Sequence, residues 1–361
     1  MKRIYQGRIK KPIDIIKQPW LDFFRLISFF IFKLLKNRVR SRGYPKDIKK
    51  ILLIRRNRLG DAINVLPVIE GIKRCKPNIE IHVLANQYNA VIFKHSPCVD
   101  KVHTIDEKWF LGKFTLFMHP VLLELRKEEF DLVIGFGGYS SVLTQLVFWV
   151  KGKYNVGVHS KKGAIYDFAY DLGVNELNAE NKHHVDDMAH IAKSAQLSLP
   201  EQIPYTYINS KVNKQNNWLA ICPDVKRKES QYSIDNYANV IQELLKAGDV
   251  DKAILFTESE KSPYRELEKY GAHWCPTRNV EEFIQEISKC QWVISSEGGG
   301  AHIAGALGLG VVVLSGMGHQ TYWRPYAKFV RVLEQKHAVN DISVSLITDE
   351  FRSLKSEMQG T

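Results

Sequence analysis

The feature that most constrains this chain is a rhythm. From Ile51 onward, short apolar runs alternate with stretches patterned like helices. "ILLIR" leads into a helical pattern reaching Cys75, and "IEIHVLA" leads into the helix-like "NAVIFKH". "KVHTI", "FDLVIGFGG" and "YNVGV" supply three further candidate strands. Buried strands separated by helices are the mark of a parallel sheet with helices on its faces. The rhythm stops in a polar stretch, "QIPYTYINSKVNKQNN", and then restarts. "WLAICP", "KAILFTE", "WVISSE" and "VVVLSG" read as strands; "IDNYANVIQELLKAG", "PYRELEKYG", "EEFIQEISKC" and "AHIAGALG" read as helices. The expected fold is α/β: two doubly wound units in tandem, over 49–205 and 206–340, with a cleft between them and a terminal helix over 341–361.

A length of 361 residues suits two domains better than one core. The five cysteines, Cys75, Cys98, Cys222, Cys275 and Cys290, have no C-x-x-C spacing and are odd in number. They fit free thiols in a reducing compartment and argue against a zinc site or a disulfide framework.

The net charge of +12 is concentrated at one end. The first 50 residues hold 15 Lys and Arg against three acids, and the remainder holds 36 of each sign. Within this basic segment, 1–48, the stretch "QPWLDFFRLISFFIFKLLKNRVR" places Asp22, Arg25, Lys33, Lys36 and Arg40 in one helical stripe, with Trp, Leu, Phe and Ile around it. Charges interrupt the apolar run too often for a membrane span, which needs roughly 20 mostly apolar residues. A basic amphipathic helix lying on an anionic membrane surface fits better, and packing of the aromatic face on the protein's own body is the alternative. No nucleic-acid motif accompanies the charge, so nucleic acid is not an expected partner.

Three places carry candidate chemistry. In "ILLIRRNRLGDAINVLPVI", one carboxylate, Asp61, follows a glycine at the start of a helix, behind Arg55, Arg56 and Arg58. It reads either as a helix N-cap, worth about 1 kcal/mol, or as a general base facing the cleft. In "WVISSEGGGAHIAGALG", a buried strand ends in Gly298, Gly299 and Gly300, and a helix follows. Glycines permit close backbone approach and a helix N-terminus favours an anion, so a diphosphate is a reasonable ligand there; a bare tight turn is the alternative. His302 reads equally as a packing residue or a ligand contact. The spacing is neither G-x-G-x-x-G nor a P-loop, which removes the signature of a dehydrogenase or an ATPase. After "WLAICPD", Lys226, Arg227 and Lys228 form a basic loop at a strand end.

Taken together, "ILLIRRNRLGDAINVLPVIEGIKRCKPNIEIHVL", "SPCVDKVHTID", "EGGGAHIAGALGLGVVVLSG" and "YWRPY" resemble glycosyltransferase family 9, the heptosyltransferases of lipopolysaccharide assembly. The resemblance runs from about Lys50 to Val332 and is weakest between Gly135 and Leu199. It implies two Rossmann-like domains in a GT-B arrangement and an inverting, metal-independent sugar transfer without a cofactor. The donor would be a nucleotide-diphosphate sugar resembling ADP-heptose, bound by the C-terminal domain. The acceptor would be a lipid-linked saccharide meeting the N-terminal domain. The family's Leu-Gly-Asp aspartate falls on Asp61, as catalytic base. Its donor motif falls on Glu297, Gly299 and His302, and its Trp-x-Pro-Tyr/Trp on Trp323, Pro325 and Tyr326. Asn64 stands where many relatives have histidine, and with Arg55 and Arg58 it makes up the expected acceptor side. The motif aspartate is replaced by Glu297. The usual Lys-x-Trp-Pro reads Ser230, Gln231, Tyr232, Ser233, so Lys226 or Lys228 would take the lysine's role. The implied location is the cytoplasmic face of a bacterial inner membrane, with peripheral attachment. The competing readings are a nucleotide-sugar epimerase-like enzyme and a catalytically inactive, membrane-bound assembly module.

Overall fold

The computed structural model describes residues 43–56, 58–106, 119–160, 165–177, 179, 181–209 and 216–360, together with Ile27. The amphipathic helix expected over 18–40, Ile27 apart, lies outside the described residues. Among these, no helix is long and apolar enough to cross a membrane.

The first sheet consists of β1 Lys50–Ile54, β2 Glu80–Asn86, β3 Lys101–Ile105, β4 Leu132–Gly135, β5 Tyr154–Val158 and β6 Leu172–Val174. The second consists of β7 Asn216–Cys222, β8 Lys252–Leu255, β9 Ala272–Trp274, β10 Cys290–Ser296, β11 Gly310–Ser315 and β12 Val330–Glu334. Their orders are β3-β2-β1-β4-β5-β6 and β12-β11-β10-β7-β8-β9, with parallel pairing throughout. Counted from its own first strand, each sheet therefore has the same doubly wound order. Strand order reverses between β1 and β4 in one lobe and between β7 and β10 in the other. The carboxyl ends of those strands are where such sheets bind ligands.

The helices that matter to the site are α1 Leu59–Ile63, α2 Leu66–Cys75, α3 Ser141–Val150, α4 His184–Ser194, α5 Ile234–Lys246, α6 Gly299–Ala306, α7 Gln320–Trp323 and α8 Val344–Gln359. The single helix expected up to Cys75 is two. Pro67 has no N–H to continue the α1 ladder but sits well in the first turn of a new helix, so the chain restarts at Leu66. The segment "PYRELEKY" is a 3₁₀ helix, not an α-helix.

One apolar cluster runs through both lobes. It joins Ile51, Leu53 and Ile134 of the first sheet to Ala220, Val293 and Val311 of the second, with Leu59, Ala62, Ala301 and Ala304 of α1 and α6 between them. α8 packs Ile347, Phe351 and Leu354 on the second sheet, where the Phe351 and Trp292 rings meet edge-on at 5.5 Å.

Candidate active site

The site is built where α1 meets α6. Arg55 leaves the end of β1 and turns inward, only 3% exposed. Its Nη1 donates to the Phe136 carbonyl at 2.8 Å, and its Nη2 lies 2.9 Å from His184 Nε2 and 3.3 Å from Asp61 Oδ2. The guanidinium crosses the glycine turn after β4: Gly137 has φ +151°, and a Cβ there would stand 2.6 Å from Arg55 Nη1. Burial lowers the Arg55 pKa, and the Asp61 carboxylate opposes that shift. Arg55 thus faces Asp61 inside the fold, whereas Arg58 is exposed.

The N-cap of α1 is Arg58, and Asp61 is the third residue of the helix. The capping alternative for Asp61 is therefore corrected: its carboxylate is engaged by Arg55. Asn64 ends α1, fully buried, and neither its amide oxygen nor its nitrogen has a partner among the described residues.

Two residues that the sequence did not single out complete this side. His184 and Asp187 lie in the first turn of α4 and reach across to α7. His184 Nδ1 is 3.0 Å from the Tyr322 hydroxyl, which donates to Asp187 Oδ2 at 2.5 Å. Burial first, and then Arg55, draws the His184 pKa down to about 2. Burial and the bond to Asp187 raise that of Tyr322. A doubled histidine followed by two aspartates at a capped helix start ("KHHVDD") is the signal that would have found them.

On the other side, β10 ends at Ser296 and delivers Glu297 half-buried into the seam. Its carboxylate accepts from Ser230 Oγ at 2.9 Å, Ser315 Oγ at 2.5 Å and Gln320 Nε2 at 3.2 Å. Gly298 is the exposed N-cap of α6 in extended backbone, with open space where a Cβ would be. Gly299 faces Leu59 across the seam, 3.4 Å from its would-be Cβ, and Gly300 faces Cys222 at 3.5 Å. His302 lies against Gly60, where a Cβ would come within 2.8 Å of the imidazole. Burial draws its pKa down to about 4, opposed by a hydrogen bond to the Trp323 backbone, and its Nδ1 has no partner among the described residues. Lys226 and Lys228 are exposed in the loop after β7, while Ser230 is buried and turned to Glu297.

The segment around Trp323, Pro325 and Tyr326 fastens the lobes together. The Trp323 ring stands 4.8 Å from His184, and Tyr326 donates to the Ile203 carbonyl at 2.9 Å. His183 Nε2 donates to the Arg324 carbonyl at 2.8 Å.

His82, His103 and Glu128 form a possible metal-ligand cluster at the β2–β3 edge. Its groups are already committed. Lys50 and Lys101 each hold a Glu128 oxygen at 2.6 Å, and the two imidazoles bond each other at 3.1 Å. The two lysines hold the Glu128 pKa down to about 2, and burial, with His82 beside it, draws that of His103 down to about 4.

Two doubly wound lobes with a carboxylate on one and a strand–glycine–helix turn on the other define a class, and comparison with known proteins agrees. The family model for glycosyltransferase family 9 (heptosyltransferase) matches residues 119–344, and the chain belongs to this family. It is 29% identical over 136 residues to lipopolysaccharide heptosyltransferase 1 of Campylobacter coli, a stretch covering 38% of this chain and 38% of that protein. Its fold is that of the family 9 glycosyltransferase of Veillonella parvula, with a TM-score of 0.73, 13% identity and coverage of 88% of this chain and 100% of that one. It is also that of E. coli heptosyltransferase WaaC with ADP, with a TM-score of 0.67, 16% identity and coverage of 84% and 99%. The arrangement is GT-B-like.

Proposed function

We propose that this protein is an inverting glycosyltransferase that moves a heptose or related sugar from an ADP-type nucleotide-diphosphate donor to a lipid-linked, lipopolysaccharide-core-type acceptor. The observation that carries the reading is Asp61. It is a carboxylate at the switch-point end of one sheet, held by a buried arginine, with the glycine turn of the other sheet packed against its helix.

Asp61 takes the proton of the acceptor hydroxyl as that oxygen attacks the anomeric carbon from the face opposite the diphosphate. One carboxylate then suffices, because attack and departure are a single in-line step. The leaving diphosphate gains negative charge. The N–H groups at the start of α6 and the Lys226 and Lys228 side chains supply positive potential for it, so the step does not require a metal. Glu297 closes the turn on the donor side, and the exposed Arg58 flanks the base on the acceptor side. The basic segment 1–48 holds the protein at the anionic inner face of the membrane that carries the acceptor.

The test is transfer by purified Asp61→Asn with ADP-heptose and a lipid-linked inner-core acceptor. Turnover falls roughly 10²–10⁴-fold, the range for loss of a general base, while ADP binding by calorimetry is kept. Near wild-type turnover removes Asp61 from the chemistry. Release of ADP only when acceptor is present separates transfer from epimerisation.

A further inference from the structure

We propose that Tyr322 and His184 are positioning residues for Asp61, and that α7 couples the donor turn to the base across the seam. The inference rests on the reading of Asp61 as the base.

The hydrogen-bond directions follow from donor inventory. Arginine has only donors, so His184 Nε2, 2.9 Å from Arg55 Nη2, accepts. A neutral imidazole then carries its proton on Nδ1, and burial beside Arg55 keeps the ring neutral. That N–H donates to the Tyr322 oxygen at 3.0 Å, which leaves the phenol proton for Asp187 Oδ2 at 2.5 Å. The chain Arg55–His184–Tyr322–Asp187 has no free choice of direction, and three of its members belong to the first lobe. Only Tyr322 comes from the second.

Tyr322 is also tied to the donor side. It lies on the four-residue helix α7, whose first residue, Gln320, donates to Glu297 at 3.2 Å. Two positions of one short helix therefore touch the donor turn and the chain that ends on Arg55. When the lobes are together, Tyr322 locks His184 and the guanidinium stays against Asp61. When they part, His184 loses its anchor and the hold on the base loosens. The phenol can be removed without stranding a charge, because Lys182 pairs with Asp187 Oδ1 at 2.7 Å.

The experiment compares the full-length protein with Tyr322→Phe, His184→Ala, His184→Gln and the Tyr322→Phe/His184→Ala double variant, alongside Asp61→Asn. Expected is a roughly 10- to 100-fold fall in kcat for Tyr322→Phe, the cost of a slightly misplaced group, with the donor KM nearly unchanged. His184→Gln, which keeps an acceptor for Arg55, retains more turnover than His184→Ala. The double variant is no worse than His184→Ala, because links of one chain do not add. Wild-type kcat in Tyr322→Phe, or effects that multiply in the double variant, overturns the proposal. If Asp61→Asn is inactive and Tyr322→Phe fully active, this inference alone is wrong. An active Asp61→Asn removes the base on which both readings depend.

Discussion

The two halves of the seam share a topology and differ in chemistry. In each lobe a strand beside the switch point runs through a turn into a short helix, β1 into α1 and β10 into α6. The turn after β1 is charged. A buried guanidinium bridges Asp61, the Phe136 carbonyl and His184. The turn after β10 carries one carboxylate, Glu297, and neutral hydroxyls and an amide satisfy it. Each of these helices also reserves a glycine for the other lobe: Gly60 for the His302 ring, Gly299 for Leu59. The lesson is that each lobe brings a strand end and a short helix to the seam and the side chains divide the labour. One side holds its carboxylate against a buried cation, and the other holds its carboxylate among neutral donors.

That contrast can be broken in order of expected effect. Arg55→Met removes the cation of the charged half and leaves Asp61 without its partner. A loss of about 3 kcal/mol of stability is expected, with turnover nearly abolished, because breaking a buried ion pair strands the remaining charge. An unfolding midpoint near wild type would mean the pair does little structural work. Glu297→Gln in the neutral half should cost far less in denaturation while weakening ADP binding.

Acidification acts next. His184 and His302 are held neutral in the fold, with pKa values drawn from 6.5 to about 2 and about 4. The unfolded chain therefore binds more protons than the folded one as pH falls through 6.5, so stability rises with pH and is lost on acidification. Each buried histidine contributes up to about 2 kcal/mol of loss between about pH 6.5 and 5. Urea titrations over that range should show it, and His302→Gln should flatten the slope.

The reciprocal glycines separate more finely. Gly60→Ala forces a Cβ to within 2.8 Å of a buried ring, and about 1–3 kcal/mol of destabilisation is expected from overpacking. Gly299→Ala meets Leu59 at an ordinary 3.4 Å and gains helix propensity, so its melting temperature should hold or rise. Equal effects from the two would mean the lobes are not in firm contact there. Smallest in stability is deletion of residues 1–42. It should leave the melting temperature unchanged while abolishing salt-sensitive binding to anionic vesicles.

β1 to β5, β7, β8, β10 and β11 were legible because continuous apolar runs and turn residues are local signals. Other elements were not. α3, "SVLTQLVFWV", is apolar at nearly every position and so carries no periodicity. β6 and β9 have three residues each, too short for any pattern, and are formed by pairing with a neighbour. Asp61, Glu297, the three glycines and His302 stood out because they lie in the turns after buried strands or in the first turn of the helices that follow. The orientation of Arg55 did not: an arginine in "RRNR" reads the same whether it faces water or a buried carboxylate.

By itself, then, the sequence determined where nine of the twelve strands lie, that they fall into two parallel sheets, and which strand ends lead to the glycines and the carboxylates. Only the tertiary structure decided that Arg55 turns inward, that Asp61 is not a cap, and that His184 and Tyr322, 138 positions apart, share a hydrogen bond. The physical reason is range. Backbone propensity and apolar period act over a few residues, whereas an ion pair or a hydrogen-bond chain forms only after two lobes have brought distant segments within about 3 Å.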